Sequence, residues 1–135
     1  MRNVELSRFV AATPAELDTL LTPRRLVEYE GSFSVDAVEE TDTGTVITAS
    51  GPGLRFQLRF EQRADGYYYY EQAGEAGPFE AMETTVSVDR KNEGSQVTMT
   101  SQVALSLSIP FADRIAGWKR RGELERALDA LAADC

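Results

Sequence analysis

A chain of 135 residues with 42% hydrophobic and 27% charged side chains can bury one core and is too apolar for disorder, so one domain over 1–135 is expected. Its 14 Lys and Arg stand against 22 Asp and Glu, a net charge of −8 that repels phosphate backbones, so no nucleic-acid partner is expected. There is no His, and the one Cys is the terminal Cys135, which excludes His-based triads, His-ligated metals and internal disulfides; no cofactor or metal is expected.

The N-terminal Met1-Arg-Asn-Val-Glu-Leu alternates polar and apolar residues and reads as a strand, not as a secretory signal. No window approaches the roughly 18 uninterrupted apolar residues of a membrane span, so a cytoplasmic protein without an integral membrane segment is expected. The acid-rich, Lys-poor composition also suits a high-salt cytoplasm and is compatible with a halophilic origin.

Thr13-Pro14-Ala15-Glu16 has the layout of a capping box with proline at the first helical position, which predicts a short helix to about Leu21. Thr22-Pro23 repeats the cap and starts a second helix that Gly31 ends. Period-2 alternation follows. Phe33, Val35 and Ala37 are expected on one face, and Thr45 to Ser50 forms the next strand after a turn at Asp42-Thr43-Gly44. In Leu54 to Phe60 the even positions are apolar and Arg55, Gln57 and Arg59 face the other way. Asp65-Gly66 predicts a turn into Tyr67 to Tyr70, two of whose rings point inward. Phe79 to Asp89 and Gln96 to Ile109 are the last strands, joined over Asn92-Glu93-Gly94, and Ser101 is the only polar intrusion in the apolar stripe of the latter.

After Pro110 the period becomes helical, with Phe111, Ile115 and Trp118 expected to face the core. The stripe then shifts to Leu124, Leu128 and Leu131, which predicts a bend or a change of packing partner near Gly122.

Strand, two short helices, about six antiparallel strands and a long terminal helix: this order, carried by the Val4 strand, Ala12-Thr-Pro-Ala-Glu16 and Trp118 to Leu131, resembles the START-like superfamily, also called SRPBCC. That group includes birch-pollen-allergen-like proteins, aromatic polyketide cyclases and lipid-transfer domains. The resemblance implies an α+β helix-grip fold, a curved sheet of about six to seven strands around the C-terminal helix enclosing an apolar cavity. It implies binding of lipids, polyketides or other flat hydrophobic molecules, cyclisation in some members and protein partnership in others. Tyr29 stands roughly where many bacterial members carry Trp.

The candidate ligand-binding residues are Phe56, Leu58, Tyr69, Met99, Val103, Ile115 and Trp118, with Ser101 as a polar anchor. Plain core packing is the competing reading of each. On that reading Trp118→Ala is expected to cost about 3 to 5 kcal/mol. Arg55, Arg59 and Arg63 are expected to pair with acids such as Glu71, Glu75, Glu80 or Glu83 across the sheet. Lys119 and Arg121 are expected to make helix-surface pairs with Glu123 and Glu125, and Asp36, Glu39, Glu40 and Asp42 to form a solvated acidic edge. Cys135 reads as an exposed bystander thiol. No catalytic residue stands out, because without His acid–base chemistry at neutral pH needs a strongly shifted Glu or Tyr. Binding or transport of a small hydrophobic molecule is the leading expectation, with a protein-interaction module or a cyclase or dehydratase-type enzyme as alternatives. Oligomeric state is not legible.

Overall fold

The computed structural model describes residues 1–63, 68–74, 76–105 and 110–135. In chain order the elements are β1 (Arg2–Val10), α1 (Pro14–Leu20), α2 (Pro23–Glu30), β2 (Ser34–Thr41), β3 (Gly44–Gly51), β4 (Leu54–Gln62), β5 (Tyr68–Ala73), β6 (Ala81–Lys91), β7 (Gly94–Ala104) and α3 (Ala112–Asp134). The strands make one antiparallel sheet in the order β1-β7-β6-β5-β4-β3-β2. Each hairpin pairs with the last, and only β1 crosses over, to lie beside β7. Helix α3 packs over β1 and β7 and against α2, which gives the α+β helix-grip arrangement.

The expected local signals act as written. Thr13 accepts the Glu16 amide while the Glu16 carboxylate accepts the Thr13 amide, closing the capping box of α1. Thr22 caps α2 by accepting from Arg25, and Gly31 ends it at φ 75°, a left-handed turn that favours glycine. This turn sets Glu30, the last residue of α2, facing the interior. Strand alternation buries Phe56, Leu58 and Phe60 on β4 and Val97, Met99, Ser101 and Val103 on β7. The Asp65-Gly66 turn, Tyr67, Glu75 and the end of the last expected strand, residues 106–109, lie outside the described residues.

Two expectations need correction. A bulge in β2 shifts the register between Val35 and Ala37, so Val35 is half-buried while Ala37 and Val38 are exposed; Phe33, Val35 and Ala37 do not share a face. The second concerns α3, one uninterrupted helix through Gly122. Its buried residues, Ala112, Ala116, Gly117, Arg120, Glu123, Leu124, Ala127, Leu128 and Leu131, share one side throughout, so the stripe does not shift. Phe111, Ile115 and Trp118 are exposed. At Gly117 the helix lies close to β1: a Cβ there would come within 2.5 Å of the Arg2 Cγ.

Candidate functional site

The strand register builds a row across the inner face of the sheet. Phe60 of β4 faces Tyr70 of β5, Tyr70 faces Thr84 of β6, and Thr84 faces Ser101 of β7. Period-2 alternation sends all four side chains inward, and Tyr70, Thr84 and Ser101 put three hydroxyls side by side in the core. The rings of Phe60 and Tyr70 stack with centroids 4.5 Å apart.

Arg120 descends from α3 onto this row and is the largest fully buried side chain among the described residues. Its Nε donates to the Ser101 hydroxyl at 3.0 Å. One terminal nitrogen donates to Glu30 Oε1 at 2.6 Å and Glu123 Oε1 at 3.1 Å, and the other to Thr84 at 2.8 Å, Tyr70 at 3.0 Å and Glu30 Oε2 at 3.2 Å. All five guanidinium protons can therefore be placed on oxygens. The Tyr70 hydroxyl donates to Glu30 Oε2, and the Ser101 hydroxyl reaches the Glu83 carbonyl at 3.1 Å. Ser32 donates to Glu123 Oε2 at 2.5 Å, and the Lys119 ammonium stands 3.7 Å from the same oxygen. Two cations thus balance two carboxylates, and no buried side-chain polar atom among the described residues lacks a partner.

The network fixes protonation. Burial alone disfavours the charged form of Arg120, but the Glu30 carboxylate, then Tyr70 and Glu123, outweigh it and hold the proton more tightly than usual. Burial, then the neighbouring Glu30 carboxylate, pushes the Tyr70 phenol well above its ordinary range, so it is neutral at physiological pH.

Beside the network lies a small amphipathic cavity. Val27, Phe33, Phe56, Leu58, Phe79 and Met82 form its apolar wall. Glu30, Ser32, Gln72, Arg120 and Glu123 form the polar one. Its volume is about 20 Å³, space for about one water molecule. Phe33 meets Phe56 edge-on at 4.9 Å, and the Lys119 ammonium stands 6.0 and 5.8 Å from the ring centroids of Phe33 and Phe79. Gln72 holds Phe79 by a two-way pair, its Nε2 donating to the Phe79 carbonyl at 2.7 Å and its Oε1 accepting the Phe79 amide at 3.2 Å. A ligand larger than water therefore needs Phe33 or Phe79 to move aside.

The expected site residues divide into three groups. Phe56 and Leu58 line this cavity. Met99, Ser101 and Val103 are buried on the same inner face but are not among its lining, and Ser101 serves as an anchor for Arg120. Tyr69, Ile115 and Trp118 lie elsewhere. Tyr69 sits on the outer face of the sheet, donating to Glu71 and Glu83, because alternation sends Tyr70 inward in its place. Ile115 and Trp118 project from the outer side of α3, 45% and 79% exposed, because Ala112, Ala116 and Arg120 occupy the inner side.

The residues that sequence reasoning missed are Glu30, Tyr70, Thr84, Arg120 and Glu123. Glu123 does pair with Lys119 as expected, but it is buried rather than on the surface and pairs with Arg120 as well. The usable signal was the helical spacing that puts Arg120 and Glu123 on the same side as the small residues Ala112, Ala116 and Ala127, read together with the inward polar positions Thr84 and Ser101. On the outer face, Arg59 pairs with Glu71 at 3.1 Å across the β4–β5 register, as expected, whereas Arg55 pairs with Asp36.

No family model and no curated relative matches this chain. Solved structures do. An aromatase/cyclase, Zhui, from a Streptomyces species superposes with a TM-score of 0.74 at 16% identity, over 98% of this chain and 92% of that one. A START superfamily protein from Mycobacterium smegmatis gives 0.68 at 10% identity, over 98% and 99%. Norcoclaurine synthase from Thalictrum flavum gives 0.68 at 13% identity, over 98% and 84%. These likenesses establish the fold: the chain shares the helix-grip architecture of these structures.

Proposed function

We propose that this protein binds a small, mostly apolar molecule with one polar end in the cavity between the sheet and α3. The observation that carries this reading is the two-sided lining, in which an apolar wall from Val27 to Met82 faces Glu30, Ser32 and Glu123. Apolar burial supplies affinity at about 25 cal/mol per Å², and the polar wall fixes orientation. Because Arg120 has its donors occupied, the groups left for a ligand are acceptor oxygens of Glu30 and Glu123 and the Ser32 hydroxyl. A neutral molecule bearing a hydroxyl donor fits that wall, and a carboxylate or phosphate does not.

The structurally similar aromatase/cyclase makes a catalytic role the second reading, with the Tyr70–Glu30 pair as its nearest candidate. A phenol held so far above neutrality is a weak acid, and the carboxylate beside it is engaged by Arg120, so carriage is favoured over chemistry.

The test is native mass spectrometry of the purified protein, followed by solvent extraction and identification of what it carried. A one-to-one adduct that disappears in Leu58→Trp, where an indole fills the cavity, supports the reading. An adduct retained in that variant places the ligand elsewhere and overturns it.

A further inference from the structure

The exterior carries a second feature, independent of the cavity. Phe111, Ile115 and Trp118 recur at spacings of four and three and form an apolar ridge on the outer side of α3. Phe111 is held at φ 67°, a conformation non-glycine residues rarely adopt, and the residue is 69% exposed. Beside the ridge, a groove between α3 and β1 is lined by Arg2, Arg114, Arg121 and Trp118. Gly117 makes this groove, since the Arg2 stem lies where a side chain there would be.

The ion pairs among the described residues use none of these three arginines. In a chain of net charge −8, three arginines outside any ion pair among the described residues thus line one groove beside an apolar ridge, with Asp113 next to Arg114 and Glu125 one helical turn beyond Arg121 in the sequence. The acidic strand β2, with Asp36, Glu39 and Glu40, forms the sheet edge opposite β1.

We propose that this face docks on the surface of an anionic lipid bilayer, with the ridge entering the headgroup layer and Arg2, Arg114 and Arg121 against lipid phosphates. Aromatic and aliphatic side chains beside arginines match an interface that is apolar in depth and negative at its surface. The acidic β2 edge then turns away from the membrane. A second copy of this chain is the poorer occupant, because matching the face with itself sets arginine against arginine. An acidic protein would satisfy the arginines but would need its own socket for the ridge.

Trp118 is the only tryptophan, so its fluorescence reports on the face directly. The experiment titrates the protein at low salt with vesicles of phosphatidylcholine alone and of phosphatidylcholine mixed with phosphatidylglycerol, with co-sedimentation alongside. The expected result is a blue shift and co-sedimentation with the mixed vesicles only, weakening as salt is raised. Arg114→Glu with Arg121→Glu should reduce partitioning by at least about thirtyfold, with circular dichroism and melting unchanged. Equal binding to both vesicle types, or to neither, overturns the proposal. So does a spectral response to inorganic phosphate or to polyglutamate without one to vesicles, which would assign the groove to a free anion or to an acidic protein.

Discussion

Arg120 shows how far one side chain can organise an interior. Its five protons meet Glu30, Glu123, Tyr70, Thr84 and Ser101, so it is the one group that touches all the other members of the network. Arg120→Met should therefore destabilise by about 3 to 5 kcal/mol in urea unfolding, because buried Glu30 loses its cation and Glu123 is left with Lys119 alone. The triple variant Arg120→Met, Glu30→Leu, Glu123→Leu should recover most of that loss, since no unpaired charge is left behind. A triple variant as unstable as the single one would show that packing, not charge, dominates there. Trp118 is the opposite case. Exposed on the outer side of α3, it should give Trp118→Ala a stability within about 0.5 kcal/mol of the parent, not the 3 to 5 kcal/mol of a core ring. A large loss in the same unfolding measurement would restore the sequence-based assignment.

Among the elements, α2 is short but decides where Glu30 sits. Gly31 turns the chain at φ 75°, and Arg126 of α3 donates to the Glu30 carbonyl at 2.9 Å and the Ser32 hydroxyl at 3.0 Å, holding the turn against α3. Gly31→Ala should cost about 1 to 2 kcal/mol by thermal melting, from left-handed backbone strain, since the space at its Cβ is open to ordinary contact. A neutral result would mean that the turn relaxes without disturbing α2. The elements themselves were legible because their signals are local: a capping box, a proline–glycine pair around α2, and period 2 on β4 and β7. What sequence reasoning inverted was the facing of α3. Large apolar residues are normally the buried ones, so Phe111, Ile115 and Trp118 outweighed Ala112, Ala116 and Gly117 in the pattern. The closeness of α3 to β1 reverses that preference, and closeness depends on tertiary packing that no single segment encodes. The inward facing of Phe56 and Leu58 was legible because a strand's alternation survives packing. Arg120 and Glu123 were missed because a buried charge is recognisable only beside its partners, which come from α2, β5, β6 and β7.

For the molecule as a whole, the raised Tyr70 phenol links the network to global stability. A tyrosine whose proton is held more tightly in the folded state contributes stability below its ordinary value near 10 and loses it as pH climbs through the folded value. Unfolding free energy should thus fall above about pH 10, by up to about 1.4 kcal/mol per pH unit for this group. Tyr70→Phe should make that fall shallower in urea titrations across alkaline pH, and an unchanged slope would show that other groups carry it. The same network forms one wall of the cavity, so its integrity and the binding of a ligand belong to one claim: the interior between sheet and α3 is the working site. The most direct measurement is chemical-shift mapping by NMR with a small neutral polycyclic phenol, 2-naphthol, as the probe. Binding inside should move the signals of Val27, Leu58, Met82 and the Arg120 Nε proton together and leave Trp118 still. Shifts confined to Trp118 and Ile115, or none at saturating probe, would contradict it.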